Sequence, residues 1–236
     1  MFKRVVLKRN GRVEGESPFW ISFSDLMSAL MALFLMVMVV TLVSVTKEVS
    51  SAEQRKIQRE ADISELMAQI KEWSREFPQV KVNESTFRID LGDVVRFDSG
   101  SAVISASGAQ FLRGYVPVLL KAQDSELGRA WVRRIVVEGF TDTDGSYLFN
   151  LGLSLERSRG VVCVLFAQPS PAERPLADTE KRQIRDLFLV GGYSFNSMKG
   201  SKEESRRVEL KIDFWALDEQ RIQPPAELDT KEFGKC

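Results

Sequence analysis

The sequence contains no histidine and only two cysteines, Cys163 and Cys236. Histidine is the commonest metal ligand and the usual general base, so its absence argues against most metal centres and acid–base active sites. Basic and acidic residues number 33 each, which gives zero net charge, whereas nucleic-acid-binding domains are usually strongly basic. We therefore expect a protein that is not an enzyme, binds no nucleic acid and needs no cofactor or metal.

The two cysteines cannot build the disulfide framework that is typical of small secreted domains. Cys163 lies in the apolar run VVCVLF, which favours a place in a hydrophobic core. Cys236 is the last residue of the chain, and its state stays open at this point. It is either free or paired with its copy in a dimer.

The most prominent feature is an apolar segment from Phe19 to Val45. A helix that crosses a bilayer needs about 20 mostly apolar residues, and residues 26–45 supply that length without a charged side chain. A cleaved signal peptide has a shorter apolar region of roughly 7–15 residues, followed by a small-residue cleavage site. We therefore predict a retained transmembrane helix over residues 19–45.

A single carboxylate, that of Asp25, lies near the start of this segment. A charge inside a bilayer costs about 2.5–3.5 kcal/mol on insertion scales, so it usually faces protein or a water-filled path. At about 100° per residue, Asp25 shares a face with mostly small residues, namely Ser22, Ala29, Ala32 and Met36. Small side chains let another helix approach closely. We expect Asp25 to face protein and to carry an ion; the alternative is a carboxylate at the headgroup level with no role.

Residues 1–18 form a short tail in which basic side chains outnumber acidic ones. The positive-inside rule places such a tail in the cytoplasm. The part of the chain that follows the transmembrane helix then lies in the periplasm of a bacterial cell, and the protein is a single-pass protein of the inner membrane.

Residues 46–79 predict a helical stalk, because apolar residues recur there at spacings of three and four. They are Ile63, Leu66, Met67, Ile70, Trp73 and Phe77. Such a narrow stripe suits pairing with another helix, including a second copy of this chain, and equally suits packing on the folded domain that follows.

Residues 80–216 predict an α+β domain, a mixed sheet with helices on one face. The expected strands are residues 86–91, 134–139 and 207–214, and the expected helices are residues 107–122, 149–167 and 179–190. Residues 191–194 are expected to form a loop. Residues 217–236 contain Pro224 and Pro225 and predict a loose C-terminal tail.

Several motifs of this domain stand in the order found in OmpA-like peptidoglycan-binding domains. They are Phe97-Asp98-Ser99-Gly100-Ser101-Ala102, Val137-Glu138-Gly139-Phe140-Thr141-Asp142, Asn150, Leu153-Ser154, Arg157 and Arg206-Arg207-Val208-Glu209. The sequence departs from the family at Phe140, where histidine or tyrosine is more usual, at Glu156, a position that is often basic, and at Ser205, which replaces asparagine. The domain resembles that family over its whole length.

The resemblance implies that Asp142 and Arg157 bind the diaminopimelate of a peptidoglycan stem, with Thr141 and Asn150 as further contacts. The chemistry fits, because the end of diaminopimelate presents an ammonium beside a carboxylate. A carboxylate accepts hydrogen bonds from the ammonium, and a guanidinium fork matches the carboxylate.

The whole layout resembles the MotB family of stator subunits, which combines a basic tail, one helix with an early aspartate, a stalk and a wall-binding domain. The segments Pro18-Phe19-Trp20-Ile21-Ser22 and Ser24-Asp25-Leu26-Met27-Ser28-Ala29 are most similar to the MotB-like subunits of Zorya anti-phage systems. The resemblance implies a dimer inside a pentamer of a multi-pass MotA-like partner, with Asp25 carrying a proton. A flagellar-type stator, or a passive OmpA-like envelope tether without ion conduction, is the alternative.

Overall fold

The computed structural model describes residues 17–169, 173, 175–219, 233, 234 and 236. The chain divides into two compact units, Met1–Arg55 and Lys56–Cys236. Nearly all of the predicted basic tail, residues 1–18, and most of the predicted C-terminal tail, residues 217–236, lie outside the described residues.

Helix α1 extends from Ser17 to Trp73, so the predicted transmembrane helix and most of the predicted stalk form one element. Among the described helices, it is the one long and apolar enough to cross a membrane. Every side chain from Ser22 to Arg55 is exposed. An apolar surface of that extent marks a segment that is covered by lipid or by another protein.

Two hydroxyl groups within this apolar segment are satisfied inside the helix. Ser28 donates to the carbonyl of Ser24, and Thr41 donates to the carbonyl of Val37, both at 2.8 Å. Polar groups in lipid must find partners within the protein, because the bilayer core supplies no water. The local sequence therefore suits a hydrocarbon environment despite its hydroxyl side chains.

The C-terminal part of α1 packs into the second unit. Ile63, Leu66, Met67 and Ile70 are 0–4% exposed and belong to its core. Arg59 Nε donates to the carbonyl of Trp215 at 2.8 Å. The apolar stripe is thus used within the chain, which decides between the two alternatives in favour of packing on the domain.

Within the described residues, five strands form a single mixed sheet. They are β1 (Lys81–Asn83), β2 (Arg88–Asp90), β3 (Val132–Gly139), β4 (Phe188–Gly192) and β5 (Val208–Phe214). Their order is β1-β2-β5-β3-β4, with β3 and β4 parallel and the other neighbours antiparallel. The prediction of a mixed sheet is confirmed.

The remaining helices are α2 (Ala106–Asp124), α3 (Glu126–Trp131), α4 (Tyr147–Phe166), α5 (Asp178–Leu187) and α6 (Lys202–Ser205). Alternation along β3 and β5 sends one set of side chains, including Val137 and Leu210, into the core beneath the helices. The other set carries charge, and there Glu138 pairs with Arg88 at 2.7 Å. One face of the sheet is therefore apolar and covered by helices, and the other is ionic.

Two strands were missed by the sequence-based prediction. β1 is only three residues long, and β4 occupies residues 188–192, where a helix end and a loop were expected. Gly139 of β3 stands opposite Gly192 of β4. A Cβ atom on Gly139 would lie 2.0 Å from the carbonyl oxygen of Ser154, and one on Gly192 would lie 2.7 Å from the Ser154 Oγ. The glycines therefore let α4 pack against the sheet.

Cys163 on α4 and Cys236 form a disulfide, with their Cα atoms 5.8 Å apart. The prediction that Cys163 is a simple core residue is wrong, because its side chain is half-buried and bonded. Cys236 is neither free nor paired with a second copy. Nearby, the rings of Phe166 and Phe233 lie 5.1 Å apart, so the end of the chain is fixed to α4.

Candidate wall-binding site

The site predicted from the sequence lies where β3 ends and α4 begins. Asp142 Oδ1 accepts the backbone N–H of Asp144 at 3.1 Å, which closes a tight turn. Gly145 has φ +97°, a conformation that glycine adopts without strain. Ser146 then caps α4 by accepting the N–H of Phe149. The turn Asp-Thr-Asp-Gly-Ser therefore holds the Asp142 carboxylate close to the N-terminus of α4.

The Asp142 carboxylate is almost buried and ion-paired. It is 5% exposed, and its Oδ2 lies 3.0 Å from Nη1 of Arg206. Burial opposes ionisation, but the hydrogen bonds from Arg206 and from the Asp144 N–H, with the charges of Arg206 and Arg157, outweigh it and lower the pKa of Asp142. Asp142 is therefore an anion at neutral pH, ready for a cationic partner.

Arg157 lies on α4 with no exposed surface. Its three nitrogens donate to the carbonyls of Ser101, Phe140 and Asp98 at 2.9, 2.8 and 3.1 Å. Burial lowers the pKa of Arg157 to about 10, although the charge of Asp142 opposes the shift. In this arrangement the guanidinium joins the loop of residues 97–102 to the end of β3 and supplies positive charge behind Asp142.

Two further predicted residues contribute buried polar atoms without a protein partner. Asn150 Nδ2 donates to the carbonyl of Asp144 at 2.9 Å, but among the described residues neither Asn150 Oδ1 nor Thr141 Oγ1 has a hydrogen-bond partner. A buried polar atom left unpaired costs about 1–3 kcal/mol. Unpaired acceptor atoms of this kind are suited to a ligand that brings N–H donors.

Arg206 is the residue of this site to which the sequence analysis gave no role. Besides Asp142, it contacts Glu203 Oε1 through Nη2 at 3.2 Å and the carbonyl of Phe97 through Nε at 3.1 Å. The two adjacent arginines at positions 206 and 207 were the feature of the sequence that could have indicated this role. Arg207 serves the other face of the sheet, where its guanidinium lies 4.2 Å from the centre of the Phe140 ring.

A cleft of about 450 Å³ opens beside Arg206. Its lining is strongly polar and consists of Asp93, Arg96, Phe97, Asp98, Glu203, Glu204 and Arg206. Arg206 thus lies between this cleft and Asp142. The predicted pair of Asp142 and Arg157 therefore occupies one corner of the domain, with a second arginine on its solvent side.

The predicted ion-carrying residue, Asp25, belongs to the other unit. Its side chain is exposed on α1, as are those of Ser22, Ala29, Ala32 and Met36. Asp25 is the single charged residue between Ser22 and Thr46, and the next is Lys47. Residues 22–46 of α1 therefore carry one ionisable group, and this group lies near their N-terminal end.

Comparison with known proteins identifies the family to which this chain belongs. No model of a protein family matches the chain. The Zorya protein ZorB of Escherichia coli O139:H28 is 46% identical over 216 residues, which cover 91% of this chain and 88% of that protein. The chain belongs to the ZorB family. The resemblance to MotB-like subunits of Zorya systems, stated from the sequence, is confirmed.

A second ZorB, from Escherichia coli strain Crooks, is 25% identical over 232 residues, covering 89% of this chain and 93% of that protein. Among solved structures, a MotB-like protein from Desulfovibrio vulgaris has a TM-score of 0.40 at 19% identity, covering 68% of this chain and 98% of that one. Helix α1 of this ZorB-family chain is long and apolar enough to cross a membrane.

Proposed function

We propose that this ZorB-family chain is the peptidoglycan-anchored, ion-conducting subunit of a rotary membrane motor driven by the proton-motive force, which powers a Zorya anti-phage system. The observation that carries the proposal is the 46% identity to a ZorB over 91% of the chain. Its chemistry is binding and ion transfer rather than catalysis.

The anchoring part of the proposal assigns the corner between β3 and α4 to the diaminopimelate of a peptidoglycan stem. An ammonium has three donors, and the site offers the Asp142 carboxylate as their acceptor. Asn150 Oδ1 and Thr141 Oγ1, which are unpaired but buried, become further acceptors when the ligand opens the corner. Arg157 supplies the positive charge that a neighbouring carboxylate requires. A ligand end that carries both charges therefore suits the corner.

The motor part of the proposal assigns ion transfer to Asp25. One charge that crosses 100 mV releases about 2.3 kcal/mol, which is enough to bias a conformational step. A carboxylate held between helices can take up a proton on one side and release it on the other. The helices around it would come from a pentamer of a multi-pass MotA-like partner and from a second copy of this chain.

In the proposed orientation, the N-terminus is cytoplasmic and the sheet domain is periplasmic. The disulfide between Cys163 and Cys236 supports this orientation, because disulfides persist in the periplasm and are rare in the reducing cytosol.

Sedimentation with purified diaminopimelate-type peptidoglycan tests the anchoring proposal. We expect the detergent-solubilised parent chain to co-sediment and Asp142→Asn to lose at least about tenfold in affinity, since losing a hydrogen bond to a charged group costs about 1.5–3 kcal/mol. Asp178→Asn is the matched control, because the Asp178 side chain is 78% exposed and does not line the cleft beside Arg206. Equal binding of Asp142→Asn and the parent would remove the proposal.

A further inference from the structure

The two edges of the sheet differ in how they are protected. Edge strand β1 is three residues long and carries the exposed Lys81, and a short, charged edge resists pairing with another strand. The opposite edge strand among the described residues, β4, reads Phe-Leu-Val-Gly-Gly and contains neither a charge nor a proline. Its Leu189 and Val190 are 47% and 45% exposed. Such an edge is an open template for a further strand.

The backbone of β4 presents hydrogen-bonding groups along its outer side. The N–H of Tyr193, just after the strand, donates to the Gly139 carbonyl at 3.0 Å. Bonding alternates between the two sides of a strand, so the N–H and C=O groups of Val190 and Gly192 point away from β3. In the described part of the chain, β3 is the single neighbour of β4. These outward groups therefore have no strand partner there.

Helix α4 adds an apolar face beside this edge. Leu148 and Leu155, about two turns apart on the helix, are 75% and 42% exposed. A Cβ atom on Gly192 would lie 2.6 Å from Leu155 Cγ, so this face adjoins β4. Ser154 lies against both Gly139 of β3 and Gly192 of β4. Helix α4 is therefore placed above the space between these two strands.

Resting on the proposed function, which brings two copies of the chain together, we propose that β4 pairs antiparallel with β4 of a second copy across a two-fold axis. This pairing joins the two five-stranded sheets into one continuous sheet. It also gives the outward groups of Val190 and Gly192 hydrogen-bond partners. A two-fold contact is closed, so it covers both unprotected edges and leaves none open to a further copy.

The position of α4 suits this pairing. Because α4 lies above the space between β3 and β4, the α4 helices of the two copies would lie two strand spacings apart, or roughly 10 Å. Helices that pack on each other have interaxial distances of about 8–10 Å. Leu155 of each copy would fill the space between the helices while the strands pair beneath. One arrangement thus satisfies both strand pairing and helix packing, which favours a second copy over an unrelated partner.

Cysteine cross-linking in membranes that contain the full chain tests the inference. The native cysteines are bonded to each other, so a short bis-maleimide reacts with an added thiol. We expect Leu155→Cys to form dimers at least about tenfold faster than Val103→Cys, because facing thiols have a high effective concentration. Val103 is the control, because it is 77% exposed and precedes α2, outside both β4 and α4.

A lysine on the edge supplies the second arm of the test. Val190→Lys combined with Leu155→Cys should lower the cross-linking rate to that of Val103→Cys, because an edge lysine opposes strand pairing. Val103→Lys combined with Leu155→Cys should leave the rate unchanged. If Val190→Lys proves unfolded by circular dichroism, Leu189→Lys replaces it with the same expected result.

Equal rates for Leu155→Cys and Val103→Cys, or a rate that the edge lysine does not change, would overturn the pairing. Cross-linking of Leu155→Cys to another protein in place of a second copy would overturn it as well. The proposed function fails separately: a chain that cross-links as expected, but neither sediments with peptidoglycan nor supports proton flux, keeps this interface and loses that function.

Discussion

The hydroxyl oxygens of Ser74 and Tyr115 lie 3.0 Å apart in the core of the sheet domain. Ser74 Oγ already donates to the carbonyl of Ile70 at 2.7 Å, so Tyr115 is the donor in this pair. Tyr115 belongs to α2, and Ser74 directly follows α1. The end of the long helix is therefore part of the folded domain and not a separate connector.

Tyr115→Phe tests this contact and its pH dependence. We expect a loss of about 1 kcal/mol at neutral pH from the missing hydrogen bond. Burial raises the pKa of Tyr115 to about 12 from its ordinary value of 10. The stability contributed by the neutral phenol is therefore complete below about pH 10 and is lost as the pH rises through about 12. Denaturant titrations at neutral and alkaline pH should show a shallower alkaline loss in Tyr115→Phe than in the parent; equal slopes would contradict the assignment.

Leu66→Ala tests whether the apolar stripe of α1 is core. Leu66 has no exposed surface, and leucine-to-alanine changes in cores cost about 2–5 kcal/mol. We expect a loss of that size in chemical unfolding followed by tryptophan fluorescence. Ser64→Ala, at an exposed position two residues earlier, is the control. A loss in Leu66→Ala below about 0.5 kcal/mol would contradict a core position of this stripe.

The sequence predicted most of the helices and the central strands because their periodicity is strong. The helix predicted over residues 107–122 is observed as Ala106–Asp124, and the predicted strand over residues 134–139 is observed as Val132–Gly139. β4 was missed because Gly191 and Gly192 are typical of turns. In the structure, Gly192 leaves room for α4 against the sheet, and this tertiary contact cannot be deduced from the local sequence.

The candidate site was only partly accessible to sequence reasoning. The motif order placed Asp142 and Arg157 in one corner, and the structure brings them there. The partner of Asp142 could not be deduced, because Arg206 comes from a segment 64 residues away. The disulfide was missed for a similar reason, since Cys163 and Cys236 are 73 residues apart and no periodicity connects them.

Arg157→Ala should destabilise the domain rather than act on binding alone. The change removes a donor from three carbonyls. The carbonyl of Asp98 still accepts the Ser101 N–H at 3.1 Å, so the carbonyls of Ser101 and Phe140 are the two that lose their partner, and each unsatisfied group costs about 1–3 kcal/mol. We expect a loss of at least about 2 kcal/mol in thermal and chemical unfolding. Arg157→Lys should recover part of it, because a lysine keeps the charge and some of the donors. A stable Arg157→Ala protein would contradict the structural role that the three hydrogen bonds give this residue.

We expect the disulfide between Cys163 and Cys236 to be present within each chain of the purified protein. Peptide mapping by mass spectrometry of protein purified from the membrane fraction should recover the cross-linked peptides that contain Cys163 and Cys236. In the chain-entropy view, a closed loop of this length contributes about 4 kcal/mol, so Cys163→Ser should lower the free energy of unfolding by roughly 2–4 kcal/mol. A disulfide-linked dimer on a non-reducing gel would contradict the observed pairing.

The most direct test of the proposed function is proton flux through vesicles that contain this chain and its multi-pass partner, followed with an internal pH dye under an imposed membrane potential. Asp25→Asn keeps the size of the side chain and removes its titrating group, and Ser28→Ala on the same helix is the control. We expect flux in the parent and in Ser28→Ala, and background flux in Asp25→Asn, with the complex assembled in all three. Flux at the parent rate in Asp25→Asn, or background flux in an assembled parent complex, would contradict ion conduction by Asp25 and leave a passive wall tether.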